Sequence, residues 1–523
     1  MLFNSYAFLF VFLPVTLVGY QVAGWFHRRA VVAWLGLLSL AFYAYWRPAF
    51  LAVLVVSIAF NYMAATMISR STPNQVGSKV WLWTAIGINL AALGYFKYFF
   101  PLLNYFTQKT GSLHRWENVA LPLGISFFTF TQIAFLVDLQ QGVAKRQDLV
   151  SYVLFVTFFP HLIAGPILHH KEMMPQFQQE RPYQLRLDDI AVGFSWFILG
   201  LGKKVLIADV FAKSADAVFH VSGPVPAAAA WRGALCYTFQ LYFDFSGYSD
   251  MALGLARMFS IDFPLNFNSP YKAVSIIDFW QRWHMTLSHY ITDYLYTPIQ
   301  LWTRGRRRRL GKPVNRAALT TPEGFSTMIA LPMLTTMFIA GIWHGAGLQY
   351  IMFGVLHGVM LTINHAWNLF RQTQKAPGTA EPTNQFDGPL RRGLSVSLTF
   401  LCVVVTLIFF RSNGVGQALS LIAGLVGLNG LGSSTVGLAP LENARNTAFR
   451  ILAGFVIVWF MPNTQQILRR FDPSLQSQSV RESVRVRTLR WVPTAAWAVV
   501  LSCVLFSSLV ALQDPSTFLY FQF

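Results

Sequence analysis

Long apolar stretches, broken by short polar or basic turns, recur along most of this chain. They fall at about 3–26, 30–46, 48–68, 80–106, 118–138, 149–169, 189–212, 228–259, 326–344, 346–368, 393–410, 447–462 and 491–512. A helix rises about 1.5 Å per residue, so roughly 20 apolar residues cross the ~30 Å hydrocarbon layer of a bilayer. The pattern predicts an all-α polytopic membrane protein with about eleven to thirteen segments. The first run, Phe3–Phe26, lacks a basic leader and leads directly into the next apolar run, so it reads as a retained helix rather than a cleaved signal. No fixed-period repeat appears, which argues against a duplicated transporter architecture.

Three kinds of interruption organise the chain. "FFPHLIAGPI" (158–167) places Pro160, Gly165 and Pro166 inside an apolar run, as a half-crossing segment would. "RQTQKAPGTAEPTNQFDGPLRR" (371–392) reads as a flexible connector. It divides a single integral-membrane domain, 1–523, into a core over 1–370 and C-terminal helices over 393–523. Residues 411–446 are rich in Gly and Ser around "LSLIAGLVGL", which reads as a segment lying on or dipping into the membrane, and 463–490 are polar and basic; neither has the look of a folded soluble domain.

Residues 262–300 fit neither membrane nor loop. Pro264 and Pro270 prevent a helix at the start, and Ser275 suits the N-cap of a helix beginning at Ile276. From there Ile276, Trp280, Trp283, Leu287, Ile291 and Tyr294 recur at helical spacing and predict one amphipathic helix. Asp278, Arg282, His289 and Asp293 lie away from that face. His284 lies beside it, one turn from Trp280 and Ser288, placed to point inward. On spacing alone it reads first as an interfacial histidine that caps or snorkels, with a functional group as the alternative.

Composition sharpens the membrane reading. The chain is 54% hydrophobic and 12% charged, with a mean hydropathy of +0.45. Its net charge of +19 collects in loops such as "RGRRRRLGKPVNR" (304–316), as cytoplasmic loops do. Topogenic charge and contact with lipid or nucleotide phosphates both remain open for Arg306, Arg307, Arg308 and Arg309. Nothing points to nucleic acid. The basic "HRR" at 27–29 makes the first loop cytoplasmic and the N-terminus periplasmic. Three scattered cysteines fit no disulfide framework and no zinc spacing, and no metal site is evident.

Polar groups in the apolar runs carry the chemistry. Asp244 and Asp250 lie within one run, with Arg257 seven residues after Asp250 on the same helical face. An Asp250–Arg257 network that locks helices and a direct chemical role are both open. Between Ser326 and Trp367 there is no charged residue, yet "GIWHGAG" (341–347) places His344 among glycines beside Trp343. That span is too long for one crossing, so two helices should meet near the glycines with His344 at the turn. A satisfied core histidine is one reading. The other is a general base, since an apolar cavity opposes protonation of an imidazole. His357 and His365 read as structural.

Several of these motifs together resemble one family. "NFNSPYKAVSIIDFWQRWHMTLS" (266–288) followed by "GIWHGAG" is similar to the membrane-bound O-acyltransferases. "LYFDFSGYSDMALGLARMF" (241–259), "FPHLIAGPI" and the N-terminal "MLFNSYAFLFVFLPV" resemble its bacterial branch of polysaccharide, alginate-type O-acetyltransferases. The likeness spans residues 1 to about 370, with an echo in "WFMPNTQQIL" (459–468).

The resemblance implies a multi-helix bundle around a central funnel or tunnel. It implies His344 as the essential histidine and His284 as a second catalytic position, with Trp343, Trp280, Asp278, Arg282, Asn266, Asp244 and Asp250 supporting the tunnel. The donor would be a cytoplasmic thioester such as acetyl-CoA, with no permanently bound cofactor, and the basic run would face it. The acyl group would cross a bacterial inner membrane to a secreted polysaccharide such as alginate. Periplasmic SGNH-type acyltransferases and the polysaccharide synthesis and export machinery would be partners. One departure is plain: where this branch continues "DYLYTPI" with a short glycine-rich turn, this chain has "QLWTRGRRRRLGK".

Overall fold

The computed structural model describes residues 1–71, 75–109, 120–179, 183–221, 223–373, 388–432, 444–471, 474–475, 489–512 and 518–519. Among the described residues every regular element is a helix. Five helices among the described residues have the length and apolarity of a membrane span: Pro48–Arg70, Val76–Thr107, Leu187–Phe219, Pro322–His344 and Pro389–Arg411. A sixth is added if Arg445–Phe460 and Thr464–Phe471 count as one broken span. Among the described residues the shorter apolar helices Phe8–Gly24, Ile125–Gln140 and Ala495–Ala511 fall in other apolar runs, and a fourth, Val415–Leu425, lies within 411–446. The protein is a multi-pass membrane protein. Most of the predicted connector, and parts of 411–446 and 463–490, lie outside the described residues.

The chain divides into two compact units. One comprises Met1–Leu206, Asp244–Leu265 and Thr464–Phe523; the other comprises Ile207–Phe243 and Asn266–Asn463.

The first unit has an aromatic core in which Phe3, Phe8, Phe12, Phe42 and Phe159 meet at stacked, tilted or edge-on angles. Two of its helices nearly touch: α1 (Leu187–Gly202) and the C-terminal half of α2 (Ala227–Met258). A Cβ at Gly193 would come within 2.5 Å of the Gly254 carbonyl, and one at Gly200 within 2.7 Å of the Gly247 carbonyl. Glycines seven residues apart on both helices form a seam that only small residues allow. Past α1, Lys203 and Lys204 reach Asp250 and Asp244, at 2.5 and 2.6 Å. Each aspartate also holds the C-terminal segment: Asp250 accepts from Thr464 Oγ1 and Asp244 from the Leu519 backbone N–H. A charge buried in an apolar medium requires such a partner. The predicted Asp250–Arg257 network does not form. Arg257 instead bonds Asp189, in the first turn of α1, and Asp262, just past the end of α2, both of which lie nearer its guanidinium than Asp250 does.

The break in "FFPHLIAGPI" is present. Helix Leu149–Thr157 stops at Phe158, and a single turn, Phe159–Leu162, comes next within a wholly buried stretch. His161 Nε2 lies 2.9 Å from the Phe155 carbonyl that the break exposes.

The second unit contains the short helices α3 (Ile276–Trp280) and α4 (Met285–Ile291), then α5 (Thr297–Arg309). The longer helices α6 (Leu331–His344), α7 (Leu348–Thr373) and α8 (Pro389–Arg411) complete the part that bears on function.

Candidate active site

The segment 262–300 starts as the sequence predicts and then departs from it. Ser275 caps α3, its side chain accepting from the Asp278 N–H. The single amphipathic helix over 276–294 does not form. The chain breaks after Trp280, and His284 takes a left-handed conformation, φ 43° and ψ 54°, before α4 begins. Such a backbone costs a non-glycine residue about 1–3 kcal/mol, so something must hold it. Asn266, eighteen residues upstream, does so. Its carbonyl accepts from the Met285 N–H, and the Asn268 N–H donates to the Arg282 carbonyl, pairing 266–268 with the break. The Asn266 side chain completes the clamp: Oδ1 lies 2.9 Å from His284 Nδ1 and accepts from Thr286 Oγ1 at 3.0 Å. An amide oxygen only accepts, so Nδ1 carries the proton and the imidazole lone pair lies on Nε2. Burial pulls the His284 pKa down to about 3, which keeps the ring neutral across the physiological range.

Asp278 and Arg282 brace the same break. Arg282 Nε donates to Asp278 Oδ1 at 2.6 Å, while Asp278 Oδ2 accepts from the Val274 N–H. Trp283 is buried against Phe279, Phe267 and Tyr271.

His344 is the last residue of α6, and α7 starts four residues later. The two helices meet as the glycines predict. A Cβ on Gly354 would sit 2.2 Å from the Met337 carbonyl and 2.9 Å from the Gly341 Cα. This contact places the His344 ring, 9% exposed, within an aromatic wall. Ring centroids lie at 4.7 Å for Trp343, 5.6 Å for Phe353 and 5.0 Å for Phe410.

Helix α7 spans the distance between the two histidines' surroundings. Phe353, His357, Leu361 and His365 stand in one row at four-residue spacing. Phe353 touches His344 and His357; His357 in turn touches Trp280 and Phe279 of α3. Below this row opens a largely apolar groove of about 400 Å³, bounded by Trp280, Met285, Ser288, Met333, Met337 and Leu361. Met285 comes directly after His284, so the groove starts beside the clamp. The sequence alone makes His357 a structural residue, although the four-residue row is there to find.

Of the other predicted positions, Asp244 and Asp250 belong to the first unit, each neutralised by a lysine. The four arginines end helix α5 rather than forming a loop. Arg306, Arg308 and Arg309 are exposed. Arg307 is buried and spends its guanidinium on the Pro313 carbonyl and Thr327 Oγ1.

Comparison with known proteins decides the family. The model of the membrane-bound O-acyltransferase family matches residues 80–312. A peptidoglycan O-acetyltransferase of Helicobacter pylori is 34% identical over all of this chain and 98% of its own. A probable alginate O-acetylase of Pseudomonas putida is 33% identical over the whole of both chains. This chain belongs to the membrane-bound O-acyltransferase family. A teichoic acid D-alanyltransferase of Streptococcus thermophilus is a more distant relative, 27% identical over 55% of this chain and 68% of its own. Members similar to this chain thus bear names with different acyl groups and different polymers. The family match ends at residue 312, whereas the full-length relatives extend the likeness through α6, α7 and the C-terminal helices.

Proposed function

We propose that this membrane-bound O-acyltransferase moves an acetyl group from a cytoplasmic thioester, acetyl-CoA or a like donor, toward hydroxyls of a secreted polysaccharide. The observation that carries the reading is His344: an imidazole at the break between two apolar helices, ringed by Trp343, Phe353 and Phe410. In this role its basic nitrogen takes the proton of the attacking hydroxyl as the oxygen adds to the thioester carbonyl. The tetrahedral adduct then collapses, the C–S bond breaks, and the thiolate leaves and takes up a proton. The aromatic wall serves to exclude water, which would otherwise hydrolyse the thioester. His284, neutral and with its lone pair on Nε2, is the second catalytic position. Asn266, Asp278 and Arg282 hold it; Trp280 and Trp343 line the chamber.

The exposed Arg306, Arg308 and Arg309 suit the phosphates of a CoA-type donor on the cytoplasmic side. The setting is a bacterial inner membrane with the N-terminus outside, and a periplasmic SGNH-type acyltransferase receives the group. The names of full-length relatives support acetyl over other acyl groups. They name two polymers at nearly equal identity, so the shared chemistry, an ester on a glycan hydroxyl, is the level at which the substrate is proposed.

The test uses purified protein in vesicles, together with its periplasmic acyltransferase partner, given acetyl-CoA on the donor side. Release of free thiol that depends on an added glycan hydroxyl, and that stops in His344→Gln, supports the reading. Thiol release equal in wild type and variant sinks it.

A further inference from the structure

Helix α7 grips the α3 segment at two points on one face, seven residues apart. His357 Nδ1 accepts from the Trp280 indole N–H at 3.2 Å, and Asn364 Oδ1 accepts from the Ile277 N–H at 3.2 Å. The His357 ring is 1% exposed, lies edge-on to Trp280 at 5.2 Å and parallel to Phe279 at 6.2 Å. A buried imidazole is an expensive filler where a phenyl ring would serve; what it adds is an acceptor for the indole.

What that bond steadies is specific. Trp280 is the last residue of α3, and the chain breaks there. Ser288 Oγ of α4 donates back to the Trp280 carbonyl at 3.0 Å, so the indole anchor and the α4 end of the break are tied together. His284 lies within this closed loop, in its left-handed conformation. One turn back along α7, Phe353 meets the His357 ring at 4.6 Å and the His344 ring edge-on at 5.6 Å. One side chain therefore contacts both the anchor of the His284 loop and the ring that backs His344.

We infer that His357 is a positioning residue: by holding the Trp280 indole and backing Phe353, it sets His284 and His344 for the same reaction. This rests on the acyltransferase reading proposed for the chain. His357 touches no substrate and moves no proton; its Nδ1 is occupied as an acceptor, so its proton is on Nε2. A shift of about 1 Å in a reacting group can cost on the order of 10²-fold in rate.

The experiment compares His357→Leu, His357→Asn, Trp280→Phe and the Trp280→Phe/His357→Leu double variant in cells that make the acylated glycan. The readout is the initial rate of ester accumulation on the glycan, per amount of inserted protein, alongside thermal melting of each variant. His357→Leu and Trp280→Phe should each lower the rate about 10²-fold, and the double variant should fall no further. His357→Asn, whose Oδ1 takes the place of Nδ1, should recover at least tenfold of the loss. A wild-type rate in Trp280→Phe, or equal losses in His357→Leu and His357→Asn, overturns the inference. If His357→Leu fails to insert, Trp280→Phe and His357→Asn still decide it. His344→Ala in the same cells separates the two claims. Ester persisting there defeats the acyltransferase chemistry. Ester lost there, with His357→Leu and Trp280→Phe at wild-type rate, defeats this inference alone.

Discussion

His284 donates its Nδ1 proton to Asn266 Oδ1, 2.9 Å away across eighteen residues of chain. That bond fixes the tautomer, helps hold a strained backbone, and selects which nitrogen is basic.

Changing Asn266 therefore changes His284. Asn266→Ala leaves the His284 and Thr286 donors without their acceptor, a loss of about 1–3 kcal/mol, and should slow transfer by roughly 10²-fold. Asn266→Asp puts a carboxylate against the ring, favours the imidazolium and raises the His284 pKa from about 3. The acid limb of the pH–rate profile should then move to higher pH. A profile unchanged from wild type would show that the pair does not control His284.

The same burial makes stability depend on pH. His284 has a pKa of about 3 in the fold against 6.5 when solvated, so the unfolded chain takes up the proton first as pH falls. The stability it contributes is complete above pH 6.5 and declines between pH 6.5 and 3, by at most about 1.4 kcal/mol per unit. Melting curves of wild type and His284→Gln across that window should converge toward acid pH. Parallel curves would contradict the assignment.

Sequence and structure agree wherever the determinant is local. Ser275 caps α3 because its hydroxyl meets an N–H three residues on, and the "GIWHGAG" glycines predict the meeting of α6 and α7 because both sides of the contact lie within a few turns. The break at His284 is illegible in the sequence because its cause, Asn266, is remote and acts through backbone as well as side chain. The partners of Asp250 escape sequence reading for a related reason. Helical spacing nominates a residue on the same helix, Arg257, whereas Lys203 comes from another helix brought close by the glycine seam. His357 is visible in a four-residue row, yet only the fold shows that the row links two sites.

The Gly341–Gly354 contact predicts a packing failure rather than a chemical one. Gly354→Val drives a side chain into the Met337 carbonyl and should cost about 1–3 kcal/mol, read as a lower melting temperature and less inserted protein. Gly393→Ala, where an added Cβ meets nothing within 4 Å, should leave both unchanged.

Lys204 and Asp244 are each 2% exposed and paired at 2.6 Å. Lys204→Met alone strands a buried carboxylate and should cost about 3–5 kcal/mol. Adding Asp244→Leu should restore much of that loss. A double variant as unstable as the single would mean the Leu519 contact, not the charge pair, dominates.

The most direct test of His344 as the acyl-transfer base is the O-acetyl content of secreted glycan from cells carrying His344→Ala, with inserted protein matched to wild type. Ester should disappear while the protein folds and inserts normally. Ester at wild-type levels would make the histidine of "GIWHGAG" a packing residue and contradict the central claim.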